Sequence, residues 1–461
     1  MVFVVSLPMV TTRLYASDEI EYFAYLRSLY FDRDVSFENE YRYFYDRNIA
    51  RSAGFHETFL ERETAAGRRV NYATMGSAVL WLPFYAAADA YTRATGTFEA
   101  DGFSRPYISA VAYGSALYGF LAILLSIRAA RLLLGHELRG SSILAGLAIW
   151  IGTPLLFYMY VAPGFAHACS AFAVALFVNV WLRVRERWSA KGASVLGLSV
   201  ALMAMVREQD AFLALAPAVD FAWTALPAFV SGSPGSRLPV LRTAIVGVVA
   251  FLAGYTPQLL AYTALNGYPG PAEHVSRKMA WYSPHALQVL ASPNHGFLLW
   301  TPLALIAMAG LLALRDTRMR RLLLLAAATQ VYVAGSVASW TVAGAFGQRR
   351  FVCLTPILVI GLAAVWDRVR GRTRVPRLRP ETARARWLRA AFGVAVVLCV
   401  WWNVALMALF GTRQMDRQRL ELARNAYDAF VTIPLSAPSL AYRYLTDRES
   451  FYGPPPGESI R

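Results

Sequence analysis

The chain has 461 residues, of which 57% are hydrophobic and only 16% charged. That is more apolar surface than one water-soluble core buries, so a soluble domain is excluded and the composition reads as an all-α polytopic membrane protein. The formal net charge of +16 does not announce nucleic acid as a partner, because the arginines gather in short loops between apolar runs, where membrane topology places them.

Met1 to Leu14 is apolar but shorter than the roughly 20 residues a span requires, and it has no cleavage-site pattern. It reads as a short, tilted first helix or as a chain whose true start lies upstream. The acid-rich stretch 15–106 follows, opening with Asp18 and Glu19, and its length and charge fit an outer-face loop. Within it, Ile20 to Asp32 puts Tyr22, Phe23, Leu26, Leu29 and Tyr30 on one side of a helix, the pattern of an element lying in the interface. Met75 to Tyr91 is apolar, yet Pro83 interrupts it and Asp89 closes it. Counted as a span it would invert every later loop, so a second juxtamembrane or re-entrant helix is expected there.

Later spans alternate: Tyr107 to Ile127, Ser142 to Tyr160, Ala168 to Leu182, Ala193 to Val206, Ala211 to Val230 and Ala244 to Leu265. A second large outer loop, 266–294, precedes Phe297 to Leu314, Leu322 to Ala338 and Phe351 to Val365. Asp367 to Arg389 then carries nine arginines against two acids, the strongest cytoplasmic signal in the chain. Trp387 to Phe410 makes the last crossing. The expectation is about eleven transmembrane helices over residues 1–410, N-terminus in, with a polar tail, 411–461, outside and a fraying GPPPG end. Cys169, Cys353 and Cys399 lie within apolar runs, odd in number and scattered, and support neither a disulfide framework nor a metal site.

A first span, an acidic pair at its exit, a long outer loop with interfacial helices and then many spans resemble the GT-C superfamily of polytopic membrane glycosyltransferases. Protein O-mannosyltransferases and lipid A aminoarabinose transferases belong to it. Three stretches carry the likeness further: NYATMGSAVLWLPFY after the acidic loop, SPNHGFLLWTP at Phe297 and WTVAGAFGQRRFVCLTP at Phe351. The likeness covers most of Met1 to Ala364. It implies an enzyme of the bacterial inner membrane that moves a sugar, with inversion, from a polyprenyl-phosphate carrier to a lipid, glycan or protein acceptor on the periplasmic or exterior face. No cofactor is certain, a divalent metal ion being open.

The chemistry asks for a base to take the proton of the attacking hydroxyl, an effect typically worth about 10²–10⁴ in rate. Asp18 is the first choice, with Glu19 orienting it or helping to hold a metal. The competing reading makes Asp18 an ordinary helix N-cap. A lipid phosphate leaves readily when cations meet its charge, and Arg349 and Arg350 sit where a span begins at the outer face. Arg207, in the knot Arg207-Glu208-Gln209-Asp210, is a further donor-binding candidate, a local ion pair being its alternative. Arg277 and Lys278 in the second outer loop are the remaining phosphate candidates. His167, His295, Asn71 and Tyr72 are possible accessory residues. His167 stands where relatives often carry an acid, which puts a second carboxylate, and any metal needing it, in doubt. Trp281, Tyr282 and Trp300 offer either sugar stacking or an interfacial aromatic belt. The rival function is a transporter or flippase of a lipid-linked or anionic solute, which would want interrupted helices paired between two halves and charges near mid-membrane. A third is a non-catalytic partner in envelope assembly.

Overall fold

A computed structural model describes residues 2–50, 52–135, 139–231, 234–342, 344–370 and 383–451. Those residues form helices and connecting turns, with isolated bridges at Glu63–Arg69 and Met279–Val337 and no strand among them. Among the described residues, five helical segments are long and apolar enough to cross a membrane: Arg105–Leu134, His167–Val184, Arg237–Asn266, Arg349–Arg370 and Ala383–Gly411. Shorter apolar helices occupy Gly140–Ile151, Ala190–Val206 and Pro302–Ala313. Leu241, Ile245, Val248, Val249 and Leu252 are exposed along one long helix, and Val394, Val397 and Leu398 along another. Apolar belts of this kind suit hydrocarbon better than water, and the architecture is that of an all-α membrane protein.

The first segment is less than a span. Only Val2–Ser6 (α1) is α-helical, followed by a tight turn at Leu7–Met9 around Pro8. Its Phe3 stacks on Phe120 at 4.4 Å, and Ser6 Oγ lies 2.7 Å from the Tyr160 hydroxyl. The interfacial helix expected from Ile20 begins earlier, at Ser17–Arg27 (α2), and Glu38–Asp46 (α3) follows in the same loop. Phe23, Tyr25, Tyr41 and Phe44 are wholly buried between them, so aromatic packing fixes this loop against the bundle.

The awkward apolar stretch is the helix Gly76–Thr95 (α4), stopped by Gly96 in the left-handed conformation at φ 61°. Its ends show that it does not traverse the bundle. The helices Arg105–Leu134 (α5) and His167–Val184 (α6) run alongside in the same direction, Tyr118 meeting Phe172 and Asn179 donating to the Leu125 carbonyl at 2.9 Å. Ala190–Val206 (α7) returns to the side from which α6 started. The start of α4 is tied there, Thr74 Oγ1 donating to the Val206 carbonyl at 2.9 Å. Its last turns are tied to the start of α5, where the Tyr107 hydroxyl donates to Asp89 at 2.6 Å.

At the opposite end of the bundle a buried carboxylate staples three helices. Asp220, on Leu215–Ser231 (α8), is wholly buried and lies 2.9 Å from Arg185 Nε and 2.7 Å from Arg318 Nε. The Trp181 indole donates to the same carboxylate at 2.9 Å. Arg318 opens Thr317–Ser336 (α9).

The tail carries helices of its own. After Ala383–Gly411 (α10), the chain forms Leu422–Tyr427 (α11) and Ile433–Thr446 (α12) and folds back onto the bundle. The Trp401 indole donates to the Ala429 carbonyl at 2.9 Å, and the Tyr444 hydroxyl to Met9 O at 3.1 Å. Arg448 donates to the carbonyls of Pro8 and Met9 at 2.7 and 2.6 Å. The GPPPG end and residues 371–382 of the nine-arginine loop lie outside the described residues.

Candidate functional site

Helix α2 is what presents Asp18. Ala16, extended at φ −91° and ψ 145°, is the residue that caps it, which puts Asp18 at the second helical position and Glu19 at the third. Glu19 folds back so that Oε2 accepts the amides of Tyr15 and Ala16, both at 3.1 Å. The capping task therefore falls to Glu19, and the N-cap reading of Asp18 is set aside. Glu19 is fully buried, with its carboxyl pushed up to about 7 by desolvation. Its Oε1 faces Gly164, where an added Cβ would stand only 2.9 Å from it. A role for Glu19 beside substrate or metal does not fit this placement: its charge organises the helix start. Asp18 instead reaches across to Arg349, Oδ2 to Nη1 at 2.8 Å, with 40% of its side chain exposed.

Sequence reasoning passed over Glu21, one turn on from Asp18. It is buried, it lines the same cavity, and Oε1 accepts the Tyr72 amide at 2.7 Å. Burial, and then the charge of Asp18, push its carboxyl up to about 8. Asn71 holds the junction, donating to the Glu21 carbonyl at 3.0 Å and accepting the Ala73 amide at 2.9 Å. Asn71 and Tyr72 thus clip the loop onto α2. The spacing of Asp18 and Glu21 on one helical face was the signal that could have found Glu21.

Two elements bring three arginines to the neighbourhood of Asp18, and Arg349 pairs with it directly. Arg349 and Arg350 open the tight turn Arg349–Leu354, ahead of the helix Thr355–Arg370. Buried Gln348 fixes that entry, donating to the carbonyls of His295 at 3.3 Å and Trp340 at 2.9 Å, while Gln330 donates to the Arg350 carbonyl at 2.7 Å. Arg349 lies over the Phe165 ring at 5.2 Å, and Arg350 donates to the Ser339 carbonyl at 2.9 Å. Arg207 follows α7 in extended backbone and bonds His167 Nδ1 at the head of α6. Within the knot Arg207 Nη2 donates to Gln209 Oε1 at 3.4 Å, but its acids bond elsewhere: Glu208 accepts from the Tyr255 and Tyr262 hydroxyls at 2.7 and 2.9 Å, and Asp210 accepts from Ser170 at 2.6 Å. The charges of Arg349, Arg207 and Asp18 all act on Arg350, and those of Arg207, Asp18, Glu21 and Arg349 on Tyr22. Burial pushes the Tyr22 hydroxyl up to about 12.

Other candidates separate. Arg277 is three-quarters exposed and pairs with Glu273 one turn earlier, whereas Lys278 turns to the cavity with Nζ 6.0 Å from the Tyr72 ring. His295 is buried away from Asp18, with Nε2 2.9 Å from the Ala345 carbonyl and its ring stacked on Trp300 at 4.6 Å. Desolvation pulls it down to about 4, so it is a neutral brace behind Gln348. Trp300 is itself buried and donates to the Pro293 carbonyl at 3.1 Å, out of reach of a sugar. No group of three or more His, Cys, Asp or Glu side chains able to hold a metal ion is found among the described residues.

Two cavities meet beside this centre. A polar one of about 600 Å³ is lined by Ser17, Asp18, Glu21, Arg62, Tyr72 and Lys278, among others. A larger one of about 960 Å³ is walled by apolar side chains such as Leu14, Phe44, Phe157, Met407 and Phe410, and the returning tail contributes Arg413, Arg417 and Tyr444. Tyr15, Asn48 and Ile49 line both. An acid, a cationic cluster, a polar chamber and an apolar chamber thus lie side by side. No family model matches this chain, and no curated protein matches it in sequence.

Proposed function

We propose that the chain is an inverting glycosyltransferase of the GT-C type, moving a sugar from a polyprenyl-phosphate carrier to a lipid, glycan or protein acceptor. Its multi-span helical body is seated in the bacterial inner membrane with the site on the periplasmic face. The observation that carries this reading is the Asp18–Arg349 ion pair at 2.8 Å, which joins the first outer helix to the arginine cluster and leaves Asp18 at a cavity wall.

In this reading the donor phosphate replaces Asp18 as the partner of Arg349, with Arg350 and Arg207 adding charge behind it. The carboxylate so released takes the acceptor hydroxyl proton as the oxygen bonds to the anomeric carbon. The bond from that carbon to the phosphate oxygen breaks on the opposite side, and polyprenyl phosphate leaves with the electron pair, its charge met by the arginines. The apolar cavity suits the isoprenoid and the polar cavity the acceptor. The test is transfer from a radiolabelled polyprenyl-phosphate sugar. Asp18→Asn is expected to lower it about 10²–10⁴-fold, and full activity in that variant would sink the assignment.

A further inference from the structure

The polar cavity has a charge imbalance that the transfer chemistry does not use. Asp18 is balanced by Arg349. Glu21, its carboxyl pushed up to about 8, carries mostly its proton at neutral pH. His274, whose ring lies 5.5 Å from that of Tyr72, is held below its ordinary value by burial and by the charges of Lys278 and Arg62. What remains is the pair Arg62 and Lys278, both on the wall and both beside Tyr72. The acids nearest them in sequence are occupied: Glu61 by His56, Glu63 by Arg69 and Glu273 by Arg277. Neither Arg62 nor Lys278 belongs to an ion pair among the described residues. Two cations beside one tyrosine, on the wall of a chamber that Asp18 also lines, complement a ligand with an anionic group.

Resting on the transferase reading, we propose that the acceptor carries a phosphate or carboxylate group, held by Arg62 and Lys278 around Tyr72, with its reacting hydroxyl toward Asp18. The enzyme thereby selects anionic acceptors over neutral sugars. Arg349 serves the donor and Arg62 with Lys278 serve the acceptor, so the two anions are kept apart.

Binding without turnover tests this. The full chain in phosphatidylcholine nanodiscs is titrated with sn-glycerol 1-phosphate, glucuronate and neutral glucose, each followed by saturation-transfer NMR. Both anions are expected to bind in preference to glucose, and the Arg62→Ala/Lys278→Ala variant to weaken each anion by about tenfold or more. Equal binding of glucose and glucuronate, or wild-type anion binding in the double variant, overturns the proposal. Should the double variant fail to fold, Lys278→Glu reverses one charge alone, and unchanged glucuronate binding there overturns it equally. Repeating the titration in phosphatidylglycerol discs separates the sources of the anion: weaker apparent glucuronate binding marks a competing lipid headgroup, and unchanged binding marks a soluble acceptor. An active Asp18→Asn enzyme would remove the transferase reading and leave these binding results standing.

Discussion

Glu21→Gln tests the electrostatics of the site without touching its shape. The folded protein holds this carboxyl at about 8, against an ordinary value of 4.5. Above pH 4.5 an unfolded chain gives up the proton while the folded chain retains it, so the unfolded state binds fewer protons and stability falls as pH rises, until the folded group titrates near pH 8. At about 1.4 kcal/mol per pH unit, the penalty grows from about 1 kcal/mol near pH 5.5 to about 4 kcal/mol near pH 7.5, as an upper bound. Glutamine abolishes the titration, and its carbonyl still accepts the Tyr72 amide. For a chain of this length about 1 kcal/mol moves the unfolding temperature by about 1 °C. The variant should therefore melt about 4 °C above wild type near pH 7.5 and about 1 °C above it near pH 5.5. The measurement is thermal unfolding in one detergent at both pH values, and taking the difference between the two proteins removes the parallel contribution of Glu19. A difference that does not grow with pH, or a variant less stable at both, refutes the buried, protonated Glu21.

The remaining predictions concern scaffold and topology. Asp220→Asn strands Arg185 and Arg318 around a neutral amide and should cost about 3–5 kcal/mol, read as a lowered unfolding temperature; a change within experimental error would show that water reaches the staple. Arg448→Ala removes two hydrogen bonds to Pro8 and Met9, and should hasten proteolysis of 412–451 in the purified protein while leaving the helices spectroscopically intact; equal digestion rates would mean that α12 is held elsewhere. A cysteine replacing Asp46 should react with a membrane-impermeant thiol reagent from outside intact cells, and labelling only after permeabilisation would overturn the outer placement of the first loop.

The sequence revealed the type of fold and the neighbourhood of the site because both are written locally. Apolar runs of span length announce helices, and an acidic pair at the head of an amphipathic run marks α2. Which acid does what was not legible, since Ser17-Asp18 looks like a cap until Ala16 adopts the extended conformation and Glu19 turns back on the preceding amides. The Asp18–Arg349 pair joins residues 331 positions apart, and no local periodicity records it. His295 and Arg277 show the converse: polar residues in an outer loop look available until packing buries one on Trp300 and a neighbouring glutamate claims the other. The docking of the tail was not legible for a related reason, because the carbonyls of Pro8 and Met9, invisible in any side-chain pattern, are what receive it.

That tail also sets an order of manufacture. Tyr444 and Arg448 meet residues 435 to 440 positions earlier. A ribosome adding about 5–20 residues per second places the first wall of the apolar chamber about 20–90 s before the segment that closes it. Arg349 emerges about 95 residues before Tyr444, so the Asp18–Arg349 pair becomes possible only about 5–20 s before the segment that closes the apolar chamber.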